Sequence, residues 1–270
     1  MGPIGVFDSG MGGLSILQAL RVEMPLESFV YLADSAHAPY GERDDHYLTQ
    51  RSLVITQFLR QRHQIKLLVV ACNTATAAAI HSLRAAHPDL PIVGVEPALK
   101  PATTSSQTHR IGVLATRSTL ASAKYLALLQ SLGGKAEFIS QACDGLAQSI
   151  ELDDVQKIAL LCRDYIQAMG PFGQQIGQID SLVLGCTHYP FVSDQIKAAV
   201  GQPIVLFDSG APVARQARRL LEISALGPTQ GPAQITLLAS GATASLQSAA
   251  QRWLKLQQTV HYQAELATSV

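Results

Sequence analysis

Leu67-Leu68-Val69-Val70-Ala71-Cys72-Asn73-Thr74-Ala75-Thr76-Ala77-Ala78-Ala79-Ile80 is the stretch around which the chain is organised. Its first residues form an apolar, β-branched run of the kind that fills a buried strand. After Cys72-Asn73-Thr74 the alanine-rich continuation has the composition of a helix. The pattern therefore predicts a strand, a sharp turn carrying a thiol, and a helix. Asn73 or Thr74 is expected to cap that helix, whose first N–H groups lack internal partners and whose dipole favours a thiolate or a bound carboxylate. Such a turn can both activate a cysteine and hold an anion.

Bulk composition narrows the function classes. With 270 residues, 47% of them apolar and 15% charged, the chain has material for one large or two ordinary domains with well-filled cores. Lys plus Arg and Asp plus Glu number 20 each, with no basic or acidic block. Nucleic acid and anionic membrane surfaces therefore have no support as partners, and a small-molecule substrate is the default. No apolar run reaches the roughly 18 residues that span a bilayer. Met1-Gly2-Pro3-Ile4 leads straight into a strand without a charged start and apolar leader, so a cytoplasmic location is expected. Cys72, Cys143, Cys162 and Cys186 form no Cys-x-x-Cys pair, which argues against a zinc ribbon or redox motif and predicts free thiols.

Upstream of the opening stretch, Ile4-Gly5-Val6-Phe7 reads as the first strand. It is followed by the glycine-rich turn Asp8-Ser9-Gly10-Met11-Gly12-Gly13 and a helical pattern from Leu14 to about Val22. Glycines there let the backbone approach a ligand, but the turn lacks the lysine of a P-loop and the spacing of a dinucleotide fingerprint. A strand over Ser28 to Leu32 ends in the polar turn Asp34 to Gly41, and a helix is predicted from about Asp45 to Arg62. Strands alternating with helices imply parallel sheets between helical layers.

From Arg110 the pattern starts again. Ile111-Gly112-Val113-Leu114 echoes the first strand, and Leu182-Val183-Leu184-Gly185-Cys186-Thr187-His188 is a second copy of the opening stretch. Cys72 follows Ile4 by 68 residues and Cys186 follows Ile111 by 75. Beyond each cysteine, by 19 and 17 residues, stand Pro91-Ile92-Val93 and Pro203-Ile204-Val205. This is an internal repeat. Phe207-Asp208-Ser209-Gly210 repeats Phe7-Asp8-Ser9-Gly10 and is expected to open a helix to about Leu221 capped by Ser209, as the chain returns to its first domain. The tail predicts a strand over Ile235 to Leu238, a helix to about Leu254 and a short strand near Val260. The expected domains are residues 1–97 plus 208–270, and residues 98–207, with hinges near Glu96-Pro97 and Phe207-Asp208.

The predicted fold is thus α/β, with two similar domains, each built on a central parallel sheet. A cysteine at the carboxyl end of a central strand in each would place two thiols across an interdomain cleft, where open α/β sheets bind ligands. Inverting a stereocentre by proton transfer needs that layout, one base removing a proton from one face while an acid delivers one to the other. A thiol of ordinary pKa about 8.5, lowered by a helix start or by neighbouring donors, suits both roles. A lone buried cysteine is more often structural; two in matching positions, each flanked by Asn or Thr, favour chemistry.

Asp8-Ser9-Gly10-x-Gly12-Gly13, Pro39-Tyr40-Gly41, Ala71-Cys72-Asn73-Thr74-Ala75-Thr76 and Gly185-Cys186-Thr187-His188-Tyr189-Pro190 together resemble the glutamate racemases, cofactor-independent isomerases of peptidoglycan precursor synthesis. The resemblance spans nearly the whole chain. It implies two pseudosymmetric domains with the active site in the cleft between them. It implies Cys72 and Cys186 as acid/base residues, the first acting on D-glutamate and the second on L-glutamate, with no cofactor and no metal. Asp8 and His188 are implied as the neighbours that tune or relay each thiol's proton. Ser9, Tyr40, Gly41, Asn73, Thr74 and Thr187 are implied as substrate contacts, and Glu151 as a residue near the cleft. A homodimer is the expected assembly.

The chain departs from the family pattern at Asp34-Ser35, at Met11, at Cys143-Asp144, which lacks a following proline, and at Glu96-Pro97-Ala98, which lacks a glycine. None of these touches the two cysteine motifs. Racemisation of aspartate or a hydantoin would keep both cysteines and change the pocket. A protein that clasps an acidic amino acid without turning it over would be expected to lack one of them.

Overall fold

A computed structural model describes residues 2–228 and 231–268. The chain divides into two compact units, Met1–Val95 with Gly210–Val270, and Glu96–Ser209. The first begins with β1 (Ile4–Asp8), α1 (Leu14–Glu23), β2 (Phe29–Ala33), α2 (Asp45–His63), β3 (Leu67–Val70), α3 (Asn73–Ala86) and β4 (Ile92–Gly94). The second holds α4 (Leu99–Ser105), β5 (Arg110–Ala115), α5 (Arg117–Ala121), α6 (Ala123–Ser131), β6 (Glu137–Ala142), α7 (Leu146–Glu151), α8 (Val155–Ala168), β7 (Ser181–Leu184), α9 (Ser193–Val200) and β8 (Val205–Phe207). The return adds α10 (Gly210–Ile223), β9 (Ile235–Ala239), α11 (Thr243–Leu254), β10 (Val260–Tyr262) and α12 (Ala264–Ala267) to the first unit. No helix among the described residues is long and apolar enough to cross a membrane.

Both sheets are parallel throughout. The first runs β10-β9-β2-β1-β3-β4 and the second β6-β5-β7-β8. The repeat read from the sequence is visible in that order. β2-β1-β3-β4 and β6-β5-β7-β8 place corresponding strands side by side, and β9 and β10 extend the first sheet past β2. Every residue of β1, β2 and β3 is buried, as expected where helices cover both faces of a parallel sheet. That is why these strands are continuous apolar runs rather than alternating ones.

α2 starts where the Asp44 carboxylate accepts the Tyr47 N–H at 2.7 Å. Its inward face carries Leu48, Ile55 and Leu59, together with a fully buried arginine, Arg51. Arg51 pairs with Asp34 at 2.6 Å, both side chains without solvent exposure. Removing either partner would leave an uncompensated buried charge at a cost of about 3–5 kcal/mol.

Local details differ from the sequence expectations at several points. The second strand is shifted by one residue, to Phe29–Ala33. Cys72 itself, and not Asn73 or Thr74, occupies the cap of α3, where its sulfur accepts the Ala75 N–H at 3.5 Å. After Cys186 the chain makes a 3-10 turn over Tyr189–Val192 before α9, so the second thiol has no α-helix directly behind it. Pro190, with its fixed φ and missing N–H, suits the first turn of that short helix. The Ser209 hydroxyl, immediately before α10, donates to the Glu96 carbonyl at 2.6 Å.

Gly13 ends the turn between β1 and α1 at an ordinary helical φ of −61°. A Cβ there would come within 2.7 Å of the Asp8 Cβ and 3.0 Å of both the Ala71 Cβ and the Tyr31 hydroxyl. Gly13→Ala is therefore expected to destabilise the protein by about 1–3 kcal/mol through overpacking alone, as read by urea denaturation.

Candidate active site

The first candidate cluster is built at the ends of β1 and β3. The Ala71 N–H donates to the Phe7 carbonyl at 2.8 Å, the last rung between these strands, and the next residue, Cys72, turns into α3. Its thiol is 6% exposed and donates towards the Ser9 hydroxyl oxygen at 4.0 Å. Asp8, at the end of β1, is held by two backbone donors: the Ser9 N–H at 2.8 Å and the Gly13 N–H at 2.5 Å. A helix start with glycines free of side chains provides this cradle for a carboxylate. Thr76 fixes the base of α3 by donating to the Val70 carbonyl at 3.2 Å and accepting the Val95 N–H at 3.0 Å.

Charge and burial set the state of the thiol. Burial pushes the Cys72 pKa up and the nearby Asp8 charge pushes it further, while the Ala75 and Ser9 N–H groups pull it down and lose. The expectation that a helix start would lower this thiol's pKa is corrected. A buried sulfur next to a carboxylate stays protonated despite the dipole behind it.

Tyr40 and Gly41 belong to a 3-10 turn, Tyr40–Glu42. The Tyr40 hydroxyl donates to Asp34 Oδ2 at 2.6 Å. It is therefore engaged inward, and Gly41 presents backbone only. Asn73 is buried, and its Nδ2 has no hydrogen-bond partner in the structure, an orphan donor on the first turn of α3. Thr74 follows it, half-buried.

In the second unit the Gly185 N–H donates to the Leu114 carbonyl at 2.7 Å, the rung equivalent to Ala71 and Phe7, and Cys186 follows. Its sulfur lies 3.6 Å from His188 Nδ1, and His188 Nε2 lies 2.8 Å from Glu151 Oε1. Glu151 ends α7, so the carboxylate of one helix orients the imidazole that meets the thiol. Burial favours the neutral ring, but the hydrogen bonds and charges of Cys186 and Glu151 prevail and hold the His188 pKa well above its ordinary value. Thr187, between thiol and imidazole in sequence, is buried.

The two cysteine turns differ in the residue types that neighbour the thiol. The Asp34 N–H donates to the Asp8 carbonyl at 2.8 Å, and the Cys143 N–H donates to the Ala115 carbonyl at 2.9 Å, so Ala115 occupies the position of Asp8. The second unit draws its ionisable partner from beyond the cysteine instead. Cys143 and Cys162 are buried free thiols, and burial pushes the Cys162 pKa up to about 11. Among the described residues no group of three His, Cys, Asp or Glu side chains is placed to hold a metal ion.

Asp34 and Arg51 were not singled out by sequence as part of this neighbourhood. The signal was present in α2, where Arg51 sits at core spacing from Leu48 and Ile55, a charge on an apolar face.

Comparison with known proteins bears on this geometry. A family model described as Asp/Glu/Hydantoin racemase matches residues 14–217. The chain is 47% identical over 236 residues to a glutamate racemase of Ectopseudomonas mendocina, covering 87% of each chain. Among solved structures it is similar to glutamate racemase isoform RacE1 of Bacillus anthracis, with a TM-score of 0.86, 29% identity and 97% of each chain covered. It is also similar to a glutamate racemase of Francisella tularensis in complex with D-glutamate, with a TM-score of 0.83, 25% identity, and 100% of this chain and 99% of that chain covered.

Because the folded pKa of His188 is raised, its imidazolium adds stability that is full below the unfolded value, about 6.5, and is lost as pH rises through the folded value. Glu151→Gln weakens this. The stability gap between wild type and Glu151→Gln, from urea unfolding between pH 5 and 9, is expected to be widest near the acid end and to close as pH rises.

Proposed function

The chain belongs to the Asp/Glu/Hydantoin racemase family, and we propose that it interconverts L-glutamate and D-glutamate with Cys72 and Cys186 as the two acid/base residues. In the L-to-D direction Cys186 takes the α-proton of L-glutamate beside the protonated His188, and the Cys72 thiol delivers a proton to the opposite face. In the D-to-L direction the Cys72 proton passes first to Asp8, Cys72 then takes the α-proton, and Cys186, given a proton by His188, donates it to the opposite face. Asn73, with its unsatisfied amide donor, together with Ser9, Thr74, Thr187 and the Tyr40-Gly41 backbone, would hold the substrate's carboxylates and ammonium. Such donors in a desolvated site are what make an α-proton acidic enough for a thiolate base. No cofactor enters this scheme.

One observation supports the reading above the rest. Two thiols stand at equivalent strand ends, each beside its own ionisable partner, Asp8 for Cys72 and His188 with Glu151 for Cys186. A protein that only clasped glutamate would need neither thiol nor relay. We place the activity in the cytoplasm, supplying D-glutamate for peptidoglycan, in a homodimer.

The test is circular dichroism of L-glutamate, D-glutamate and L-aspartate incubated with the protein without added cofactor. Glutamate is expected to reach the racemic mixture from either side while aspartate keeps its signal. Cys72→Ala and Cys186→Ala are each expected to lower the rate by at least about a hundredfold. Either variant working at the wild-type rate would overturn the assignment.

A further inference from the structure

The unit that carries Cys72 also holds a buried polar chain that the proposed reaction does not use. Arg51 Nε donates to Asp34 Oδ2 at 2.7 Å and Arg51 Nη2 to Asp34 Oδ1 at 2.6 Å, a two-pronged clamp. The same Oδ2 accepts the Tyr40 hydroxyl at 2.6 Å. Arg51 Nη2 also donates to the Leu266 carbonyl at 2.7 Å, and that carbonyl lies 3.1 Å from His37 Nε2. The clamp is thus braced from the C-terminal helix. Tyr40 packs in the same apolar cluster as Cys72 and Ala75. Burial and then the Asp34 charge raise the phenol's pKa, so it keeps its proton for Asp34.

Stability alone does not account for an ion pair at this depth, since apolar residues of similar volume often serve a core as well or better. An apolar set could not fix the Tyr40 hydroxyl at one point. The planar guanidinium orients both Asp34 oxygens, and one of them anchors the phenol at the start of the Tyr40–Glu42 turn. We infer that Arg51 is a positioning residue for substrate binding: through Asp34 it holds the Tyr40-Gly41 turn where its backbone can meet a substrate carboxylate beside Cys72. This rests on the racemase reading given above.

The experiment is steady-state kinetics with D- and L-glutamate on wild type, Arg51→Lys, Tyr40→Phe and the double variant, with D-glutamate binding to each measured by calorimetry. Each single substitution is expected to raise KM about tenfold, the scale of one lost hydrogen bond to a charged group, while kcat stays within about threefold. The double variant is expected to rise no further than the larger single, because both changes act through the Tyr40 hydroxyl. A merely structural Arg51 would lower the active fraction, hence the apparent kcat, and leave KM alone. That result, or additive KM effects, overturns the inference. If Arg51→Lys does not fold, Tyr40→Phe leaves the ion pair intact and decides the matter, an unchanged KM overturning it. A wild type that binds D-glutamate without racemising it overturns the racemase reading, whereas equal affinity in wild type and variants overturns the clamp.

Discussion

The last rung of each central strand pair determines where each thiol can be. In one unit the Ala71 N–H reaches the Phe7 carbonyl, and in the other the Gly185 N–H reaches the Leu114 carbonyl. One residue later the chain must leave the sheet, and in both cases that residue is a cysteine. A parallel ladder, buried on both faces, has little freedom of register, because a slip would move apolar side chains out of their layers. The position of each thiol is therefore inherited from the pairing of the strands that precede it, and the flanking turns need only supply partners.

Those partners set two different environments for two identical functional groups. Cys72 is buried beside a carboxylate cradled by backbone N–H groups, a combination that keeps the sulfur protonated. Cys186 faces an imidazole whose pKa, despite burial, the hydrogen bonds to Cys186 and Glu151 hold well above its ordinary value. In the proposed reaction, a carboxylate beside one thiol and an imidazole beside the other let two residues of one type divide acid and base work. The scheme gives the resting protein a proton ready on the Cys72 side. Its asymmetry is built into the repeat, since Ala115 stands where Asp8 would be.

The alternation of strands and helices, the repeat and the placement of both cysteines were legible because buried parallel strands are continuous apolar runs and the second half restates the first. The ion pairs were less so. Glu151 lies 35 residues before Cys186 in sequence and meets His188 only through the packing of α7. Arg51 and Asp34 are distant residues joined by the fold, and only the break in the apolar face of α2 pointed to one of them. The cap of α3 lies one or two residues before the expected Asn73 or Thr74 because sulfur is a weak acceptor and is rarely chosen over Asn or Thr for that position. The direction of the Cys72 pKa depended on how burial and Asp8 balance against the helix start, a sum that no local pattern carries.

Deuterium distribution at early conversion tests the two-thiol mechanism most directly. L-Glutamate is incubated in deuterated water, and both enantiomers are isolated before a tenth or so has turned over, then examined by NMR at the α-carbon. Two thiols, one removing protium and the other delivering a solvent-exchanged proton, require D-glutamate that is almost fully deuterated and recovered L-glutamate that is almost all protium. Deuterium entering both enantiomers at equal rates would mean that one group serves both faces, and would contradict the assignment of Cys72 and Cys186 as a pair.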